Sequence, residues 1–281
     1  MTANLAPLIG FVGTTPNIGT TCAAFAAAYR LAEEHEGRIL YLDLNLKSAK
    51  LHRYLGIDRP GMTLDQLRPE LLSGALTPGR LASSLYPLPH NPRLHVLFGN
   101  MLRDQAEYFT PQEVELLLDI GLGSYSAVVA DVSAYWDNAA TIAVLRRAGL
   151  RLLTTTPALA SFQEDGKRWI YQVSPLFGIA PTDYKGIIIS PPWRNGGFPV
   201  RDIRKEIGIP VAEQFRMNES LLMQLDSGRL EEWLRSDKQG RLAMKPTAEL
   251  IGRTYALQRG SEKKKQPWYR RLAALRNGAE V

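Results

Sequence analysis

The chain alternates short, uniformly apolar runs with longer stretches in which apolar residues return every three or four positions. Six runs read as strands: residues 7–12 (PLIGFV), 38–44 (RILYLDL), 94–98 (LHVLF), 126–132 (SAVVADV), 151–156 (RLLTTT) and 185–190 (KGIIIS). Several are apolar at every position, the pattern of strands covered by helices on both faces. Helical periodicity falls at about 20–35, 111–121, 138–148, 159–173, 200–207 and 218–227. This alternation predicts an α/β fold with a doubly wound, mostly parallel sheet flanked by helices. Residues 57–92 are richer in Pro, Gly and Leu, with helical fragments around 63–72 and 78–85, and read as an excursion between the second and third strands. The opening MTANLAPLIGFVG has no basic leader and reads as the first strand rather than a signal peptide.

Composition narrows this picture without changing it. An apolar fraction of 45% with 22% charged residues is that of a soluble globular protein. No apolar run approaches the roughly 18 residues that span a bilayer. Cys22 is the only cysteine, which excludes an internal disulfide and a cysteine-rich metal site and fits a reducing cytoplasm. The histidines, His35, His52, His90 and His95, lack helical ligand spacing and read as surface or loop residues.

The formal net charge of +6 sits almost entirely in one place. Arg259, Lys263, Lys264, Lys265, Arg270, Arg271 and Arg276, set against Glu262, account for 7 − 1 = +6. Residues 1–258 therefore read as one near-neutral domain and 259–281 as a basic tail with a short final helix opened by Pro267. A neutral domain argues against a broad nucleic-acid-binding face and points to a local anionic partner of the tail.

Candidate chemistry begins after the first strand. Gly13-Thr14-Thr15-Pro16-Asn17-Ile18-Gly19-Thr20-Thr21 leads into the small-residue run CAAFAAAYRLAEE. Strand, loop and helix in that order form a phosphate cradle when backbone N–H groups and the helix N-terminus face an anion. The segment fits the pattern G-x-x-x-x-G-K-[ST] only in part, because Thr20 stands where lysine reaches the phosphates and Thr14 replaces the first glycine. Taken alone, it reads more readily as a tight βα turn.

The order GTTPNIGTT, ILYLDLNLKSAKLHRYLG and YSAVVADVSAYWDNAATIAVLRRAGLRLLTTTP, followed by IGIPVAEQFRMNESLLMQLDSGRL, resembles the ParA/MinD superfamily of P-loop ATPases across roughly residues 7–235. Within it the sequence looks most like the CpaE/TadZ branch, associated with type IV/Flp pilus assembly and polar localisation, whose members often carry G-T-T for G-K-T. Many of those proteins carry a receiver-like domain ahead of the loop, which here begins near residue 13. The resemblance implies a homodimer and bound ATP or ADP with Mg²⁺. Phosphate contacts would come from Thr15, Asn17, Gly19, Thr20 and Thr21, with Mg²⁺ at the Thr21 hydroxyl and Asp131 behind it. Asp43 and Asp131 are the candidates for any catalytic role.

Four departures weaken that machinery. Thr15 occupies the position of the superfamily's cross-dimer lysine, and Pro16 and Asn17 replace two glycines. Asp43-Leu44-Asn45 stands where the superfamily has D-x-D, and Ser190-Pro191-Pro192 where an asparagine contacts adenine. A charge-assisted hydrogen bond contributes about 1.5–3 kcal/mol, so each loss weakens phosphate binding about ten- to a hundred-fold. Transition-state stabilisation suffers more. Lys47 or Lys50 is the alternative source of charge; otherwise both are solvated lysines.

In the tail, Trp268, Leu272 and Leu275 recur at i, i+4 and i+7, with Tyr269 alongside and Lys263, Lys264, Lys265, Arg270, Arg271 and Arg276 supplying charge. Aromatic and basic residues in this arrangement suit an anionic membrane surface, and some MinD proteins end in a helix of this type. Docking on a partner protein and a purely solubilising tail are the alternatives. The whole predicts a cytoplasmic positioning or scaffold protein, weak or inactive as an ATPase, that recruits pilus or secretion machinery to the membrane or pole. The alternative is an active ATPase cycling between monomer and dimer.

Overall fold

A computed structural model describes residues 5–192 and 196–260. The strands are β1 (Leu8–Gly13), β2 (Ile39–Leu44), β3 (Tyr86–Leu88), β4 (Asn91–Leu97), β5 (Ala127–Val132), β6 (Leu150–Thr155), β7 (Tyr184–Ser190) and β8 (Val211–Arg216). They form one sheet in the order β3-β4-β2-β5-β1-β6-β7-β8, parallel throughout except for β3 against β4. The helices are α1 (Thr20–Glu34), α2 (Leu51–Tyr54), α3 (Leu64–Leu72), α4 (Pro78–Ser84), α5 (Pro111–Ser124), α6 (Ala139–Arg147), α7 (Val200–Ile207), α8 (Glu219–Asp226), α9 (Leu230–Ser236) and α10 (Lys245–Thr254). The doubly wound architecture expected from the sequence is present, and its central strands are buried at every position.

Two apolar cores lie on either side of the sheet. Leu8 and Val12 of β1 face one, with α3, α5, α6 and α7; Ile9 and Phe11 face the other, with α1, α8, α9 and α10. The run Cys22–Ala32 of α1 is buried throughout, and its alanines let the helix sit between the sheet and α10 without wasted volume. Arg30, in the middle of that run, is 2% exposed. Its guanidinium donates to the carbonyls of Leu234 (2.5 Å), Gly240 (2.6 Å) and Ala243 (3.3 Å) and pairs with Glu33. A buried charge is tolerated only with such a full set of partners, so one side chain ties α1 to the segment joining α9 and α10.

The sheet extends beyond the six predicted strands. β8 (VAEQFR) is a half-exposed edge strand whose mixed pattern hides it from a search for apolar runs. Its Glu213 caps α10, accepting from the amides of Met244 and Thr247 (both 3.0 Å) and from the Thr247 hydroxyl (2.7 Å). β3 is three residues long and contains Pro87. The helix expected over 159–173 is wound as a π-helix in two stretches, Ala160–Gly166 and Arg168–Val173. The fragments at 63–72 and 78–85 are α3 and α4, started by Thr63 and Thr77.

After α10 the chain folds back on the end of α1. The Glu36 amide donates to Gln258 O (2.8 Å), the Gly260 amide to Glu34 O (3.0 Å), and Arg259 is bridged to His35. The first two residues of the predicted tail thus lie against the domain. Lys263, Lys264, Lys265, Trp268, Tyr269, Arg270, Arg271, Leu272, Leu275 and Arg276 lie outside the described residues. Among the described residues no helix is long and apolar enough to cross a membrane.

Candidate phosphate-binding site

The carboxyl ends of β2, β5, β1 and β6 converge on the loop after β1, the edge at which open α/β sheets present their ligand crevices. Gly19, in the left-handed region (φ 103°, ψ 14°), turns the chain into α1. A Cβ there would also fall 2.4 Å from Met217 Sδ, so glycine is required twice over. No side chain caps α1 and its first turn holds no acidic residue. The free N–H groups and positive dipole end of this 15-residue helix therefore face the loop.

The loop is fastened to β6 and to the π-helix. The Thr14 amide donates to Thr154 O (2.8 Å), and the Thr14 hydroxyl to Thr155 Oγ1 (3.3 Å). Trp169 Nε1, 155 residues away in sequence, donates to Thr14 O (3.2 Å). Thr20 Oγ1 lies 2.6 Å from Thr154 Oγ1, so the residue in the lysine position is engaged with a neighbouring strand.

Beneath the loop, parallel register sets Asp43 of β2 directly beside Asp131 of β5, both facing α1. Both are fully buried, at 1% and 0% exposure. Tyr41 donates its hydroxyl to Asp131 Oδ2 (3.3 Å), while Asp131 Oδ1 and both Asp43 carboxyl oxygens have no hydrogen-bond partner. Burial raises the Asp131 carboxyl from 3.8 to about 7, against the lowering effect of hydrogen bonds from Thr21 and Tyr41. Burial and then the Asp131 charge push Asp43 well above the usual carboxylate range, opposed by the amides of Asn45, Leu51 and Gly99. A Cβ on Gly99 would fall 2.6 Å from Asp43 O, so the chain passes this pair at closest approach. Buried Cys22, on α1, is raised to about 12 by burial and by Asp131.

Thr15, Asn17, Gly19, Thr20 and Thr21 line one cavity of about 490 Å³, within the size range of small-molecule sites. Its far wall holds Tyr54, Met217, Leu222 and Leu225, and among the described residues its charged linings are Lys50 and Asp226. Met217 also borders a second cavity, of about 680 Å³, that contains Ser190, Pro191 and Pro192. The five sequence-predicted phosphate residues are thus brought together, with Asp43 and Asp131 beneath them. The membrane or partner residues of the tail are outside the described region.

Sequence reasoning missed Tyr41, Tyr54, Met217 and Trp169. Tyr41 stands two residues before Asp43 on a strand and so shares its face, a signal that was available. Nothing local marks Trp169 or Met217. Among the described residues no group of three or more His, Cys, Asp or Glu is arranged to hold a metal. His35 bonds Leu31 O and His95 the Tyr125 hydroxyl, as side chains with structural partners do.

No protein-family model matches the sequence, and no match is found among curated proteins. Solved structures are similar in fold. The chain superposes on the ParA family ATPase of Chlorobium tepidum TLS with a TM-score of 0.73, at 20% identity over 86% of this chain and 98% of that one. A chain of the MinC:MinD cell division protein complex of Aquifex aeolicus gives 0.70 at 16% identity, over 88% and 96%. The Mg-ADP complex of the septum site-determining protein MinD from Pyrococcus horikoshii OT3 gives 0.68 at 16%, over 89% and 97%.

Proposed function

With the P-loop NTPase fold of these ATPases as the premise, we propose that the chain is a ParA/MinD-like positioning or scaffold protein whose loop binds nucleotide phosphate weakly and hydrolyses it little or not at all. The observation that carries the reading is the charge of the cavity. Among the described residues its lining offers one cation, Lys50, against Asp226, while Thr20 is turned onto Thr154 and two fully buried carboxyl groups lie beneath. Charge building on a transferring phosphoryl group is met by fixed cations in efficient P-loop enzymes, and the described residues do not gather them here.

What the site retains suits a phosphate with Mg²⁺. The uncapped end of α1 faces the loop, and Thr21 and Asp131 are hard oxygen donors, one carboxyl oxygen of Asp131 being buried without a partner. Bound Mg²⁺ would neutralise phosphate charge. Thr21 would hold it directly and Asp131 would orient that hydroxyl. Asn45, on the cavity wall, is an amide and cannot take a proton from an attacking water.

On the same reading the protein dimerises through its loop face, and the tail carries it to an anionic membrane or a partner. The cargo class is pilus or secretion machinery, as in the CpaE/TadZ branch that the loop resembles. Calorimetry with ATP and Mg²⁺, paired with a phosphate-release assay, tests the first claim. Weak binding without turnover is expected; tight binding with steady release abolished by Asp131→Ala would establish the active, cycling ATPase instead. Liposome co-sedimentation of the full chain against residues 1–258 tests the tail, and equal sedimentation would end the membrane role.

A further inference from the structure

The loop joining β2 to α2 carries two lysines, three residues apart, and the fold sends them to different places. Leu46 and Leu51 are both fully buried and pin the loop at two points. Between them Leu46 N bonds Leu44 O (2.9 Å), Ser48 N bonds Asn45 O (2.9 Å), and Asn100 Nδ2 holds Leu46 O (3.0 Å). Lys47 leaves this scaffold toward the loop after β5. Its ammonium lies 2.7 Å from Asp137 and 3.6 Å from Glu107, and over the Tyr135 ring at 5.3 Å. Hydrogen bonding to Asp137 raises its pKa, so its charge is already spent.

Lys50, anchored by its neighbour Leu51, turns instead to the loop after β1. Its Nζ donates to Asn17 Oδ1 (3.3 Å) at the crown of the phosphate loop, where Asn17 has φ 60°. It also lines the cavity beside Thr15, Thr20 and Thr21, and among the described residues it forms no salt bridge, Asp226 on the same lining included. Resting on a neutral amide oxygen, it can transfer to an incoming anion without breaking an ion pair. The two positions from which lysine would reach this cavity from the loop itself are both threonine.

We infer that Lys50 is the phosphate-binding cation of this protein, supplied from the start of α2 in place of the absent loop lysines, and that Asn17 parks it there until a phosphate-bearing anion arrives. The inference rests on the reading of the loop as a phosphate cradle and adds the residue that charges it. A flexible ammonium held by one neutral contact suits binding rather than the fixed charge that phosphoryl transfer needs.

The test uses calorimetry on the full chain with ADP, and separately with inorganic pyrophosphate, both with Mg²⁺. Lys50→Ala is expected to weaken both about ten- to a hundred-fold. Lys50→Arg should retain binding to within a few-fold, and Lys47→Ala should bind as the wild type does. Adding Thr20→Lys to Lys50→Ala restores affinity, because the charge returns from the helix side. Lys50 is exposed and its removal opens no cavity, so unchanged melting of the variant confirms an intact fold. If the wild type binds and Lys50→Ala binds equally well, the assignment of Lys50 is overturned and the cradle stands. If the wild type binds neither probe at millimolar concentration, cradle and assignment fall together.

Discussion

Acidification from pH 8 to pH 5 strengthens the contribution of one buried pair to the stability of the ligand-free protein, and Asp131→Asn isolates it. Burial holds the Asp131 carboxyl at about 7 against an ordinary 3.8. That difference of about 3 units, at about 1.4 kcal/mol each, amounts to about 4 kcal/mol. The sign follows from proton counts. Between the two values the folded protein keeps a proton that the unfolded chain has shed, so stability falls as pH rises through this window. Roughly 2–3 kcal/mol of the total falls between pH 5 and pH 8. Burial lowers the pKa of His52 and His95, and these groups act in the opposite direction on acidification. The quantity to read is therefore the difference between variant and wild type. Urea denaturation followed by circular dichroism at pH 5, 6, 7 and 8 gives it directly. Asp131→Asn should gain on the wild type by about 2–3 kcal/mol across this range, less whatever Asp43 takes over once its charged neighbour is gone. A difference that stays flat, or shrinks toward pH 8, would show that the carboxyl is ionised in the folded state at neutral pH and would refute the argument.

Three further outcomes follow from the packing. Arg30→Met keeps the volume of the side chain but leaves three carbonyls without a donor, at a cost of about 3 kcal/mol or more; thermal melting measures the loss, and limited proteolysis should cut first between Leu234 and Ala243. Trp169→Phe keeps an aromatic ring but removes both the donor to Thr14 O and the volume of the second indole ring from a buried site, which should cost about 2–3 kcal/mol and lower the melting temperature by several degrees without unfolding. The Cys22 thiol, buried and raised to about 12, should resist an aromatic disulfide reagent in the native protein and react at the unfolding rate. Immediate stoichiometric labelling would count against that burial.

The central sheet was legible because its strands are apolar on both faces, a pattern that β1, β2, β5 and β6 all carry. The edges were not. β8 alternates polar and half-buried residues because one side meets solvent and Glu213 is committed to capping α10, and β3 is too short to show a period. At the site, the loop and the two aspartates could be read from motif order, since GTT closes β1 and each aspartate sits near the end of an apolar strand. The choice between Lys47 and Lys50 could not. Three residues apart in one loop, they are separated only by the partner each meets, Asp137 or Asn17, and both partners come from elsewhere in the chain. The π winding over 160–173 is likewise invisible, because the sequence shows a helical repeat and the wider turns depend on what Phe162 and Trp169 pack against.

The fold-back of residues 258–260 onto the end of α1 sets the direction in which the molecule stands. A helix of 15 residues rises about 22 Å, and the phosphate loop lies at its start while Gly260 is bonded at its finish. The described chain therefore ends at the finish of α1, at the end of that helix away from the loop after β1. A ligand at the loop and a partner met at residues 258–260 would be separated by the length of α1, so neither need displace the other.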